Sequence, residues 1–223
     1  QYAEALIVLA TRLNNNLYLH RGYFQKGNKK RLVGDLDEAI TAYFKSIEAA
    51  QKANYLVGMG KCYSAIADIY SISNNHKNAM LYYRRGIDVL LKANDSLLYA
   101  TAVFNAGDEL LTVMASHIKG SVRGQEDVVA RFGGDEFCLL ISLRDREEAR
   151  HMAQRIMLKM KEPIELAGRR MVMTTSIGIS LFPEDGTTCE ELLKHADLAL
   201  YQSKGGGRNG LNFFNPNLKS RAS

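Results

Sequence analysis

The sequence lacks a long apolar run near its start. The longest there, Ala5 to Ala10, is far too short to span a bilayer, and no signal peptide is legible. Cysteine is scarce: Cys62, Cys138 and Cys189 are odd in number and far apart, so they make neither a disulfide framework nor a metal-ligand spacing. They read as buried, reduced thiols of a cytosolic chain. The five histidines are scattered and show no zinc site. No run of interleaved basic and aromatic residues suggests nucleic-acid binding. What is present is a hydrophobic content of 46% in 223 residues, enough for a real core in one or two domains. The net charge of +5 suits an anionic ligand. Beginning at Gln1 rather than Met, the chain reads as a fragment of a longer parent.

The first half repeats itself. Gly34-Asp35-Leu36-Asp37-Glu38-Ala39-Ile40-Thr41-Ala42-Tyr43 reads as a turn and a helix start, and Asn74-Asn75-His76-Lys77-Asn78-Ala79-Met80-Leu81-Tyr82-Tyr83 repeats the arrangement. Ala39 and Ala79 stand 40 residues apart, as do Tyr43 and Tyr83. Gly27, Ala67 and Gly107 on the preceding helices keep the same step. Small residues let antiparallel helices approach closely, and the aromatic fills the gap against the next pair. The pattern resembles tetratricopeptide repeats, with a period longer than the usual ~34 residues and without the Trp-Leu-Gly part of their consensus. Units run over 15–53 and 55–93, 1–14 is the second helix of an earlier repeat, and Asp95 to about Gly107 opens a third. Such an array over 1–106 offers a groove for a protein or peptide partner, or serves as a spacer or dimerisation element. Lys26 to Arg31 reads as a solvated helix face.

The second half turns on Arg131-Phe132-Gly133-Gly134-Asp135-Glu136-Phe137. Apolar strands on either side make it a hairpin, with Gly-Gly at the turn and two carboxylates at its tip. Glycines let phosphates approach the main chain, and two adjacent carboxylates can hold Mg²⁺. An ordinary hairpin with a solvated acidic tip is the plainer alternative. Further on, Arg146 to Lys161 is an amphipathic helix with core-facing methionines, and Met171 to Phe182 alternates with period two, as a long strand would. A short strand is expected at Ile164 to Leu166 and a last one at Leu211 to Phe214, with Thr188 capping the helix between.

Gly-Gly-Asp-Glu-Phe resembles the signature of the GGDEF family, diguanylate cyclases that condense two GTP into cyclic di-GMP. Thr175 to Ser180, Ala196 to Tyr201 and Lys204-Gly205-Gly206-Gly207-Arg208-Asn209 resemble its later blocks, in order. The resemblance covers roughly residues 107 to 215. It implies an incomplete nucleotidyl-cyclase-like α/β sheet domain over 107–216 behind the helical repeats, an α + α/β chain ending in a short tail, 217–223. It implies a bacterial signal-transduction transferase that binds GTP with Mg²⁺ or Mn²⁺ and works as a homodimer. Asp135 and Glu136 take the metal-binding and catalytic places, Gly133 and Gly134 cradle phosphate, Asp108 matches a guanine contact, and Lys204 and Arg208 match phosphate contacts.

Ala106-Gly107-Asp108-Glu109-Leu110-Leu111 looks like the family's Gly-Asp-x-x-Leu block, so one continuous helix serves both halves, with Leu111, Met114, Ala115, Ile118 and Val122 on its buried face. About 60 residues that precede this block in the family are missing, including the strand that supplies a metal-binding Asp and a guanine-contacting Asn. Neighbouring strands would be left unpaired and the metal site short of ligands. A fusion with an internal deletion, an omitted segment and a degenerate domain all fit. Arg123 lies four residues before Asp127, one too many for the family's Arg-x-x-Asp product site. Two readings stand: a cyclase-type domain coupled to a repeat module that senses or docks, and an inactive interaction or nucleotide-sensing protein. Either places the GGDEF part in the cytoplasm, with room for a membrane-associated parent.

Overall fold

The computed structural model describes residues 2–122, 127–166, 169–205 and 209–216. Six helices open the chain: α1 (Tyr2–Arg12), α2 (Asn16–Leu32), α3 (Leu36–Lys52), α4 (Leu56–Ile72), α5 (His76–Ala93) and α6 (Ser96–Lys119). From α2 on, each helix starts 20 residues after the one before it. The turns between them carry Asn14, Gly34, Asn54, Asn74 and Asn94, all at positive φ (49°, 81°, 50°, 55° and 56°). Glycine and asparagine are the residues that tolerate this left-handed conformation. In the first four turns the next amide bonds to the carbonyl five residues back, at 2.8 to 3.0 Å (Asn15 to Ala10, Asp35 to Lys30, Tyr55 to Ala50, Asn75 to Tyr70). One C-terminal cap geometry therefore sets the first four reversals, and the fifth shares its left-handed asparagine.

The 40-residue pattern marks how pairs pack. A Cβ on Gly27 would stand 2.6 Å from the Tyr43 ring, so only glycine fits. Tyr43 is buried among Ala39, Ile47, Cys62, Ile66 and Ile69, and Tyr83 packs with Ala67, Ala79 and Met80. Large apolar side chains buried in this way contribute about 1.5–3 kcal/mol each. The tyrosine hydroxyls are satisfied alike: Tyr43 donates to Asn28 Oδ1 at 2.7 Å and Tyr83 to Asp68 Oδ1 at 2.8 Å. Gly107 departs from the expectation. A Cβ there would meet nothing within 4 Å, so no side chain among the described residues packs on it as Tyr43 packs on Gly27.

The chain divides into two compact units, Gln1–Val113 with Glu165–Arg169, and Met114–Ile164 with Arg170–Ser223. Helix α6 runs unbroken across the boundary, as the shared register at Gly107 implied. Of its expected apolar face, Ile118 is buried with Met114 packed against the same core, Leu111 and Ala115 are only half-buried, and the buried Val113 was not expected; the helix ends at Lys119, so Val122 joins the core from the following turn.

The second unit contains β1 (Val128–Gly133), β2 (Glu136–Leu140), α7 (Arg146–Met160), β3 (Ile164–Leu166), β4 (Arg169–Met171), β5 (Ile177–Ile179), α8 (Cys189–Gly205) and β6 (Leu211–Phe213). Met152, Ile156 and Met160 of α7 bury with Ile118 against Phe137, Leu139, Met173 and Ile177, so the methionines are core. Asp145 caps α7 by accepting from the Glu148 amide at 2.8 Å. Thr188 caps α8 in the same way at 3.2 Å, and the Glu191 carboxylate accepts in return from the Thr188 amide at 3.2 Å. A Cβ on Gly178 would stand 2.1 Å from the Ala196 carbonyl oxygen, which makes glycine the condition for seating α8 on β5.

Among the described residues the strands form three separate two-stranded sheets: β1–β2 antiparallel, β3–β4, and β5–β6 parallel. The long strand expected over Met171 to Phe182 is therefore broken. Residues 172–176 join no ladder, since an extended segment needs a neighbour's backbone groups to become a strand. The thiols also differ from expectation: only Cys62 is buried, Cys138 is half-buried and Cys189 exposed. Burial pushes the Cys62 thiol up to about 12, which makes it inert. No helix among the described residues is long and apolar enough to cross a membrane.

Candidate functional site

The hairpin forms as its sequence predicts. Val128 pairs with Leu140, Val129 with Leu139, Ala130 with Cys138 and Arg131 with Phe137, then a bulge brings Gly133 opposite Glu136. Gly134 sits at φ +51° in the turn, and Arg131 Nε donates to its carbonyl at 3.0 Å. Backbone conformation thus accounts for glycine at 134. At 133 the fold makes no such demand, for a Cβ would meet nothing within 4 Å. A group that approaches the main chain from outside would supply the reason.

Asp135 and Glu136 are both exposed at this tip. Lys204, in the last turn of α8, reaches back 68 positions in sequence to place Nζ 3.2 Å from Glu136 Oε1. The two side chains are 48% and 53% exposed, so the ion pair adds at most about 1 kcal/mol of stability and is readily exchanged for another partner. The donor set for a divalent ion is the hard oxygens of these two carboxylates. Among the described residues no group of three His, Cys, Asp or Glu could hold an ion. Two carboxylates suit a Mg²⁺ that arrives with a phosphate-bearing ligand rather than one held by protein alone.

The other expected site residues are placed as follows. Asp108 is exposed on α6 and belongs to the first unit, whereas the hairpin belongs to the second. It stands in repeat register with Asn28 and Asp68, the acceptors of the Tyr43 and Tyr83 hydroxyls. Arg208, with Gly206 and Gly207, lies outside the described residues, as does Arg123. Asp127 accepts from the Ser142 amide at 3.4 Å and so closes the open end of the hairpin.

Two features escaped sequence reasoning. One is a groove of about 320 Å³ in the repeats, lined by Asn28, Arg31, Lys61, Ser64, Asp68 and Asn105 among others. Its residues come from four helices, α2, α4, α5 and α6, and only the 40-residue step from 28 to 68 hints at it. The other is Glu109, whose buried carboxylate accepts from Ser71 Oγ and His76 Nδ1, each at 2.5 Å. Its neighbours in sequence carry no sign of this. Three cations of the basic stretch from Lys26 to Arg31 are ion-paired within the array, Lys26 to Glu4 at 2.8 Å, Lys30 to Asp35 at 2.9 Å and to Glu38, and Arg31 to Asp68 at 3.5 Å.

Residues 103–210 match the family described as diguanylate cyclase, GGDEF domain, and residues 60–89 match the tetratricopeptide repeat. The chain carries a GGDEF domain behind a tetratricopeptide-repeat array. Among curated proteins it is similar to the cyclic di-GMP phosphodiesterase NbdA of Pseudomonas aeruginosa, 51% identical over 136 residues, 61% of this chain and 17% of that one. It is similar to the bifunctional diguanylate cyclase/cyclic di-GMP phosphodiesterase MucR of the same organism, 40% identical over 52% of this chain and 17% of MucR. Diguanylate cyclase TpbB, also from Pseudomonas aeruginosa, is 37% identical over 59% of this chain and 29% of TpbB. The chain therefore spans a small part of these relatives' length. A solved structure of the TpbB GGDEF domain alone is similar with a TM-score of 0.49 at 35% identity, covering 51% of this chain and 67% of that one.

Proposed function

We propose that the chain is a cyclic di-GMP signalling protein whose GGDEF hairpin binds GTP under the control of the repeat array, without completing the cyclase reaction. The observation that carries this reading is the donor set at the tip: two exposed carboxylates, one of them ion-paired to Lys204, and no third metal donor beside them among the described residues. The open backbone at Gly133 and Gly134 leaves room for a phosphate, and Lys204 is close enough to trade Glu136 for one. A divalent ion bound with the nucleotide would shield the phosphates from Asp135 and Glu136 and, in a complete site, stabilise charge during phosphoryl transfer. In this reading two carboxylates without a third donor among the described residues support binding rather than catalysis. The relatives support the signalling nucleotide over one direction of chemistry, since their names attribute either synthesis or breakdown of cyclic di-GMP. The repeats would dock a protein or peptide partner in their groove.

The second reading, an active cyclase working as a homodimer, is favoured by the unbroken Gly133-Gly134-Asp135-Glu136 tip and its lysine. Incubation of the purified chain with GTP and Mg²⁺ separates the two. Expected are GTP binding by calorimetry, weakened several-fold in Lys204→Ala, and no cyclic di-GMP by mass spectrometry. Product formation would overturn the first reading, and absence of both product and binding would overturn each.

A further inference from the structure

Glu109 is the only buried carboxylate among the described residues, with a side chain 2% exposed. Burying a carboxylate is costly unless it is paired and hydrogen-bonded. Here each oxygen accepts one bond: Ser71 Oγ donates to Oε2 and His76 Nδ1 to Oε1, both at 2.5 Å. Ser71 lies in the last turn of α4 and His76 is the first residue of α5, so one side chain of α6 ties both arms of the second repeat's reversal. The position did not require a charge. Forty residues earlier the repeat register holds Ile69, an apolar core residue 1% exposed. An apolar side chain would have served packing as well or better, which points to a gain in register instead.

Helix α6 needs such a tie. The complete repeats hold each first helix between two neighbours, whereas among the described residues α6 packs on the array through buried Ala102 and through Ala106 against Ala67, Ala79 and Tyr83. Its other side exposes Phe104 and Gly107. It also contributes Asn105 and Thr101 to the groove lining, one and two turns from Glu109. The same helix then continues into the second unit.

We propose that Glu109 is a latch that fixes α6 against the second repeat, and that its release is the step by which the array acts along α6 on the hairpin-bearing domain. The inference rests on the reading that the array controls the GGDEF part.

Hydrogen–deuterium exchange on the full chain without nucleotide tests it. Glu109→Ala and His76→Ala are each expected to speed exchange over 96–113 by about tenfold or more, the scale set by hydrogen bonds to a charged group. Exchange in α2 and α3 should stay unchanged, and exchange in β1–β2 should rise. The double variant should not exceed Glu109→Ala, because the contact that His76→Ala removes is already lost there. Glu109→Gln, which keeps an acceptor for Ser71, should recover part of the protection and guards against simple misfolding. Unchanged exchange in α6 would overturn the latch, as would acceleration spread evenly through α2 to α5. An α6 that loosens while β1–β2 does not respond would overturn the transmission. Loss of GTP binding sinks the earlier reading and leaves these exchange results as they are.

Discussion

His20 shows how a single side chain ties the array's stability to pH. It is buried, with Nδ1 2.8 Å from Ser46 Oγ, and that hydroxyl donates to the His20 carbonyl at 2.9 Å. Tyr55 packs edge-on against its ring at 5.4 Å. Burial holds the imidazole below its ordinary value near 6.5, and the positive charges of Arg21 and Lys61 act in the same direction, against the hydrogen bond to Ser46. The folded chain thus binds a proton at His20 less readily than the unfolded chain does. Stability from this residue is present above the unfolded value and is lost as pH falls below it toward the folded one. The urea midpoint of the array should drop between pH 7.5 and pH 5.5, and His20→Gln should flatten that dependence. A midpoint that does not move, or one that moves equally in His20→Gln, would show that His20 is not responsible. Asp108 makes a different point at the same scale. The family motif and the repeat register fall on one residue, and the tyrosine that the register would set against it is replaced at position 123 by arginine.

At the scale of elements, the five left-handed residues are the rule that spaces the helices. A non-glycine residue at positive φ costs about 1–2 kcal/mol, less for asparagine, whose short polar side chain compensates locally. Asn54→Ala should therefore destabilise by about 1 kcal/mol and Asn54→Gly by little or nothing, measured as urea unfolding free energies. Equal losses in both variants would mean that the asparagine side chain, not the backbone angle, matters there. This also marks what was legible in the sequence. The pairing of helices followed from Ala39 with Ala79 and Tyr43 with Tyr83, because burial selects small and aromatic residues at fixed offsets. The 20-residue step of Asn14, Gly34, Asn54, Asn74 and Asn94 was equally visible, but it registers only when asparagine is read as a left-handed cap. The hairpin was legible down to its turn, since Gly133-Gly134 admits few geometries. The strand over Met171 to Phe182 was misread because alternation reports which face is buried and not whether a neighbour exists to complete the ladder. Glu109 was illegible for a related reason: its partners Ser71 and His76 lie more than thirty positions away, and polarity alone predicts exposure.

At the scale of the whole molecule, two units of unlike construction share one helix. The first is built from stacked pairs whose buried residues interlock along the array. The second has only two-stranded sheets among its described residues, and the hairpin that carries the candidate site leaves Val128, Phe132 and Leu140 exposed. Isolated two-stranded ribbons are marginal in water, so the second unit should open at lower denaturant than the first. The composition supplies the means to see this. With no tryptophan, the near-ultraviolet signal comes from eleven tyrosines, ten of them before residue 100 and only Tyr201 after it. Near-ultraviolet circular dichroism and tyrosine emission therefore report the array, while far-ultraviolet dichroism reports both units. In a urea titration the far-ultraviolet signal should fall in two steps, the first without change in the tyrosine signal and the second coincident with its loss. A single transition shared by both probes would mean that α6 couples the units into one cooperative fold, and the GGDEF part would then owe its stability to the repeats.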